Sequence, residues 1–171
     1  MRVLIDNFDS FTYNLVDAIG DVTVVRNTAT PQQIRELNPT TIILSPGPGR
    51  PIMRPIIEEF FGEVPIVGIC LGFQAIVEYF GGEIKEVGPV HGFRDTLVSD
   101  HPVFAGQSVA RYHSLGCTEL PDGLELLATC EGIVMAARST EHKVIGLQFH
   151  PESILTPNGG ALLDFCLECF T

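Results

Sequence analysis

The stretch Ile66-Val67-Gly68-Ile69-Cys70-Leu71-Gly72-Phe73-Gln74 decides how this chain folds. An apolar run of strand character passes straight into a helical pattern, Leu71 to Phe80, which stops at Gly81-Gly82. No loop residue separates the two, which is how a strand of a parallel sheet hands the chain to a crossover helix. Upstream the same rhythm repeats. Short β-branched runs at Val3 to Asp6, Val22 to Arg26 and Thr41 to Leu44 predict strands. Helices are predicted at Phe11 to Ile19, stopped by Gly20, at Pro31 to Leu37, with Thr30 as cap, and at Pro55 to Phe61, stopped by Gly62. This βαβαβαβ series reads as an α/β fold, an open and mostly parallel sheet with helices on both faces.

After Gly82 the rhythm changes. Residues 83 to 149 read as short strands joined by turns, at Gly92 to Leu97, Ser108 to Tyr112, Glu125 to Cys130, Ile133 to Arg138 and Val144 to Phe149, and a last helix starts near Pro157. Antiparallel strands are therefore expected in the second half. No internal repeat, low-complexity tract or long linker interrupts the chain, so residues 1–171 are expected to form a single domain.

The 171 residues carry ten Lys and Arg against 21 Asp and Glu, a formal charge of −11, and 45% are hydrophobic. A domain of this length buries roughly 68–70% of the surface its unfolded chain exposes, enough for a core without staples. The negative balance argues against a protein whose affinity comes from neutralising phosphates, so no nucleic-acid partner is expected. The amino terminus becomes charged after Val3-Leu4-Ile5, and no apolar run approaches the ~18 residues of a membrane span. The expectation is a cytoplasmic protein with no membrane partner. Five cysteines, an odd number in that setting, should be reduced thiols. Cys166 and Cys169 form a C-x-x-C, but within a helical stretch and without a second pair; they read as helix-face thiols, and no metal is expected.

In open α/β sheets ligands bind beyond the carboxyl ends of the strands. The residues found there are Asn7-Phe8-Asp9-Ser10, Ser45-Pro46-Gly47-Pro48-Gly49, Cys70 and His150-Pro151-Glu152. Cys70 has Gly two positions away on each side, the geometry of a strand-to-helix elbow in which close backbone approach needs glycines and the nucleophile sits on a sharp turn. A helix amino terminus favours negative charge and so a thiolate. Alone, such a cysteine also reads as a small buried hydrophobe. A nucleophilic thiol needs a base, and the base a third group to orient it; His150 and Glu152, held on an extended path by Pro151, offer both, although in isolation they read as a solvated pair. The Gly47 or Gly49 amide could meet the Leu71 amide near the Cys70 sulfur and hold an oxyanion. Gln74, one helical turn after Cys70, faces the same side.

At these residues the sequence resembles the class I glutamine amidotransferases, a family of flavodoxin-like α/β folds with a Cys-His-Glu triad that releases ammonia from glutamine. The resemblance is carried by Gly68-Ile69-Cys70-Leu71-Gly72-Phe73-Gln74 and Gln148-Phe149-His150-Pro151-Glu152-Ser153. Within the family, Asp6-Asn7-Phe8-Asp9-Ser10-Phe11-Thr12-Tyr13-Asn14-Leu15 and Arg111-Tyr112-His113-Ser114-Leu115 are similar to the subgroup of glutamine subunits that serve anthranilate synthase and aminodeoxychorismate synthase. The resemblance implies catalysis by Cys70, His150 and Glu152. It also implies a pocket for L-glutamine built from Gly47, Pro48, Gly49, Gln74, Ser114 and Leu115. Ser114 and Leu115 would hold the α-amino and carboxylate groups. It implies no cofactor in this chain, with Mg2+ confined to a chorismate-binding synthase partner of the anthranilate synthase component I type. Ammonia released into water would be mostly protonated, so direct delivery is expected, and the chain is too short for a second active site.

The chain departs from the pattern at Phe73, where many relatives carry His, at Phe93, where many anthranilate-type members carry Lys, and in shortened loops near Pro51 to Arg54 and Asp95 to Gln107. The Asn7 to Leu15 segment also reads as a capped helix start, with Asp9 or Ser10 bonding backbone N–H groups. Three readings compete with an anthranilate-type subunit: service of aminodeoxychorismate synthase instead, a free-standing cysteine hydrolase, and a catalytically idle interaction module. The first shares every motif. The hydrolase gives no account of Asn7 to Asn14, and the idle module none of an intact triad.

Overall fold

The computed structural model describes the backbone of residues 1–171 and the side chains of all but residues 89–93. Phe93 thus lies outside the described side chains. Four βα units open the chain: β1 (Arg2–Asp6), α1 (Thr12–Ile19), β2 (Thr23–Arg26), α2 (Pro31–Arg35), β3 (Thr41–Leu44), α3 (Arg54–Phe60), β4 (Ile66–Ile69) and α4 (Leu71–Tyr79). There follow β5 (Lys85–Thr96), β6 (Ser108–Gly116), β7 (Glu125–Cys130), β8 (Ile133–Ser139), β9 (Val144–Leu147) and α5 (Gly159–Glu168).

One sheet has the order β2-β1-β3-β4-β9-β8-β7. The strands from β2 to β9 in that order are mutually parallel; at the far edge β8 runs antiparallel to β9, and β7 antiparallel to β8. The alternating side chains of the inner strands feed two separate cores. Leu4, Ile43, Val67 and Ile145 pack with Leu15 and Ile19 of α1 and Leu162, Leu163 and Cys166 of α5. Val3, Ile5, Ile42, Leu44 and Ile66 pack on the opposite face with Ile34 of α2, Ile57 and Phe60 of α3 and Ile76 of α4. Helices therefore cover both faces. Phe73 belongs to this second core: a side chain at Gly146 of β9 would collide with its ring, so that glycine makes the room it fills.

The second half differs from the sequence reading in one respect. β5 and β6 are longer than expected and pair only with each other, as an antiparallel ribbon outside the main sheet. Two register shifts within β5 break the alternation by which a strand is recognised. Helix α5 begins two residues after Pro157, and a Cβ at Gly159 would overlap the Pro151 carbonyl, so this helix abuts the His150-Pro151-Glu152 segment. Cys166 is buried and Cys169 half-buried; burial pushes the Cys169 thiol up to about 11, and all five cysteines are unpaired. Among the described residues no helix is long and apolar enough to cross a membrane, and no group of three His, Cys, Asp or Glu side chains is gathered as metal ligands would be.

Candidate functional site

Cys70 occupies the junction of β4 and α4 at φ 53° and ψ −100°, in the left-handed half of backbone space that non-glycine residues avoid. Such a conformation costs about 1–3 kcal/mol and persists only where the surroundings impose it. Here its N–H donates to Leu147 O at 2.7 Å and its carbonyl accepts from Gln74 N at 3.0 Å, tying the turn to β9 and to the first turn of α4. The flanking glycines permit the close approach: a Cβ at Gly72 would strike the Leu44 carbonyl of β3, and one at Gly68 would lie 2.5 Å from the Gly72 backbone. Leu71 opens α4, so its N–H is among the first-turn amides that have no carbonyl one helical turn behind them.

The loop after β3 is fixed by the loop after β1. Gly47 sits so close to Asn7 that a Cβ would overlap the Asn7 carbonyl. Asn7 in turn donates from its backbone to Ser45 Oγ at 2.8 Å and from its carboxamide to Ser45 O at 2.9 Å and Met53 Sδ at 3.1 Å. Its Oδ1 accepts from Asn27 at 3.2 Å. The Asp6 carboxylate accepts from Phe8 N and the Asp9 carboxylate from Phe11 N, both at 2.9 Å. These bonds set the turn before α1, whose own cap residue, Phe11, offers no side-chain bond, and Ser10 is not used as a cap.

His150 is placed by β6 and by the turn that follows it. Its N–H donates to Ala110 O at 3.0 Å, and its carbonyl accepts from Thr156 Oγ1 at 2.7 Å. Its Nδ1 meets Glu152 Oε1 at 2.6 Å, with the two side chains 5% and 1% exposed. Nε2 is buried and has no hydrogen-bond partner among the described residues, as has Glu152 Oε2. Burial opposes the imidazolium, but the neighbouring Cys70 sulfur and the Glu152 carboxylate outweigh it and hold His150 well above the ordinary histidine range. No hydrogen bond of ordinary geometry joins Nε2 to Sγ. Asp9 is raised by burial, with Glu152 adding in the same sense and the Phe11 N–H and His150 opposing.

These elements close around a cavity of about 180 Å3. Gly47, Pro48, Gly49, Cys70, Leu71, Gln74, Ser114 and Leu115 all line it, with Tyr112 and His113. Gln74 donates through Nε2 to Leu115 O at 2.9 Å and to Gln148 Oε1 at 3.2 Å, so this nitrogen braces the cavity wall. His150 and Glu152 line a second cavity of about 130 Å3, which shares Tyr112 with the first and adds Phe11, Asn14, Ser153 and Ile154. The Tyr112 ring meets His150 edge-on at 5.2 Å. A larger cavity, about 460 Å3, lies against β7 and residues 98–101 and holds no residue of this cluster.

Four residues that the sequence motifs include carry roles the sequence did not assign: Gln148, Arg111, His113 and Tyr112. Gln148, fully buried, donates to Cys70 Sγ at 3.5 Å. Arg111, 2% exposed, donates to His113 Nε2 at 3.2 Å and to Asp95 at 2.9 Å, while His113 Nδ1 bonds Leu115 O at 3.0 Å. Burial, reinforced by the Arg111 charge, presses His113 down to about 4 against the pull of the Leu115 carbonyl, so its ring is neutral with the proton on Nδ1. Tyr112 lines both cavities. A signal existed for Gln148, a lone amide inside the apolar run Val144 to Phe149, since buried polar groups need partners.

A doubly covered, mostly parallel sheet with a thiol on a strand-to-helix elbow and a buried histidine-carboxylate pair beside it defines an α/β protein of the nucleophile-elbow type. The family model for "Glutamine amidotransferase class-I" matches residues 3–169, and the chain belongs to that family of enzymes. It is 46% identical to anthranilate synthase component 2 of Corynebacterium glutamicum over 199 aligned residues, covering 97% of this chain and 96% of that one. It is 43% identical to anthranilate synthase component 2 of Vibrio parahaemolyticus, covering 97% and 94%. A glutamine amidotransferase of Thermotoga maritima shares the fold, with TM-score 0.69, 20% identity and coverage of 89% of this chain and 76% of that one.

Proposed function

We propose that residues 1–171 form one glutaminase domain that supplies ammonia to a chorismate-binding synthase subunit of the anthranilate synthase component I type, in tryptophan biosynthesis. The observation that carries the chemistry is the buried His150–Glu152 pair with an unpartnered Nε2 beside the strained Cys70 elbow, at the end of the cavity that Ser114 and Leu115 complete. With its proton already held on His150, the Cys70 sulfur attacks the side-chain amide carbon of L-glutamine as the thiolate. The carbonyl π electrons move to oxygen, and the Leu71 and Gly47 amides receive the oxyanion. His150 then protonates the leaving nitrogen, ammonia departs, and a γ-glutamyl thioester remains. Water, deprotonated by His150, attacks the thioester carbon, the C–S bond breaks, glutamate leaves, and the Cys70 thiolate faces the protonated His150 again. Glu152 keeps the Nδ1 proton in place and stabilises the imidazolium through both steps.

The pathway rests on the relatives, two of them components 2 of anthranilate synthase. A docking face is supported by exposed apolar side chains: Phe11 and Ile154, which line the second cavity, the latter 93% exposed, and Phe8 and Tyr13, which lie close to Phe11 in the chain. A location in the cytoplasm and Mg2+ held by the synthase alone belong to the same proposal. The test is reconstitution with candidate synthase subunits, glutamine and chorismate. Anthranilate as product supports the reading, and aminodeoxychorismate redirects it to the folate branch. Cys70→Ser must abolish glutamine-dependent product while ammonia-dependent product survives; retention of glutamine use would refute the mechanism.

A further inference from the structure

Gln148 lies at the end of β9, between the nucleophile and the histidine segment, and takes no part in the bond-making and bond-breaking of the proposed reaction. Its side chain nevertheless has a forced orientation. The Leu115 carbonyl can only accept, so the Gln74 group 2.9 Å from it is the NH2. The same nitrogen lies 3.2 Å from the Gln148 carboxamide, which must therefore present its oxygen to Gln74. That leaves the Gln148 NH2 facing Cys70 Sγ at 3.5 Å. One backbone carbonyl on the cavity wall thus sets both amides, and the chain of donors ends on sulfur.

We propose that Gln148 is a positioning residue for the nucleophile: through the relay Leu115 O, Gln74, Gln148 and Cys70 Sγ it holds the sulfur in the cavity and favours its anionic form. A second group around the sulfur works the opposite way. The Tyr112 carbonyl, 3.9 Å from Sγ, accepts the thiol proton and so favours the neutral thiol. A donor aimed at sulfur becomes stronger once the sulfur is charged, because hydrogen bonds to ions are the stronger ones. Gln148 is 0% exposed and Gln74 3%, so water does not readily substitute for either. The relay also joins the nucleophile to the Ser114-Leu115 wall, where the amino and carboxylate groups of a bound amino acid would sit.

The proposal rests on Cys70 being the nucleophile, which Cys70→Ser tests separately. Its own test reads the sulfur directly: the rate of Cys70 alkylation by iodoacetamide on the full chain, followed by mass spectrometry from about pH 5 to about pH 10, where thiolate content governs the rate. Gln148→Met keeps the volume and removes the donor. Its alkylation rate at neutral pH should fall about tenfold, in line with the loss of one hydrogen bond to an ion, and should rejoin the wild-type rate in alkali. Gln148→Glu, which still accepts from Gln74 but turns a carboxylate towards sulfur, should fall further. With a synthase subunit present, both variants should lose kcat while KM for glutamine stays within about twofold. Gln74→Met, which frees the Gln148 oxygen and the Leu115 carbonyl but leaves the donor to sulfur, should show a smaller loss of the same pH form and serves if Gln148→Met does not fold. Wild-type alkylation at every pH, or a loss equal at neutral and alkaline pH, overturns the relay.

Discussion

The elbow glycines give the sharpest test of how the fold positions Cys70. In Gly68→Ala the new methyl would lie 2.5 Å from the Gly72 carbonyl carbon and oxygen and 2.7 Å from Ile76 Cδ1, where ordinary contact begins at 3.4 Å. Ile76 can rotate away. The Gly72 backbone cannot, because Gly72 is itself pressed onto the Leu44 carbonyl, so relief requires the first turn of α4 to retreat from β4 by about 0.9 Å. Overpacking of this kind costs about 1–3 kcal/mol. For a chain of this length that lowers Tm by about 2–12 °C, since each kcal/mol is worth about 2–4 °C. The rate should suffer more than the stability: a misplacement of about 1 Å costs on the order of 100-fold, and here the displaced turn carries the nucleophile and the Leu71 amide. The assays are thermal unfolding by circular dichroism and glutaminase kcat in the presence of a synthase subunit. Gly160→Ala is the control. Gly160 is exposed in α5 with no atom within 4 Å of its added Cβ, and it should gain about 0.5–1 kcal/mol with kcat unchanged. A Gly68→Ala protein that melts within about 1 °C of wild type and keeps more than about half its kcat would refute the reasoning.

Two further predictions follow from the bonds around the site. Glu152→Gln retains an acceptor for the Nδ1 proton but removes the charge that helps raise His150, and kcat should fall by about 10²–10⁴. Because the folded-state value of His150 is raised above its unfolded value, its stabilising contribution is complete below about pH 6.5 and is lost as pH rises through the raised value. Urea unfolding should therefore show the gap between wild type and Glu152→Gln widest near pH 6 and narrowing in alkali; a gap that widens with pH would contradict the assignment. Asn7→Ala leaves the buried Ser45 carbonyl without its partner and should cost about 1–3 kcal/mol. By loosening the Gly47 loop it should raise KM for glutamine while Cys70 alkylation stays at the wild-type rate, which initial-rate kinetics and mass spectrometry would check together.

Local chemistry wrote much of the fold into the sequence. Thr41–Leu44 and Ile66–Ile69 form strands within the boundaries that their β-branched runs and flanking turn residues predict, and Gly68 and Gly72 mark the elbow because only close backbone approach requires glycine at both positions. The gathering of Gly47, Cys70 and Leu71 at one cavity follows from strand ends of a single parallel sheet. What local pattern could not supply are relations between distant residues. The full ribbon of β5 and β6 was not legible in the sequence because two register shifts break the alternation. Asn7 reads as part of a capped turn, whereas its carboxamide works 38 residues away, on Ser45. Gln148 reads as one polar residue in an apolar run, and only the packing of β9 against α4 turns its NH2 onto a sulfur 78 positions earlier in the chain. Sequence by itself determined the alternation of elements and the residue types at each strand end, since those depend on periodicity and backbone conformation. The tertiary structure alone decided which donor meets which acceptor, because the direction of a buried amide is set by partners that adjacency in sequence does not reveal.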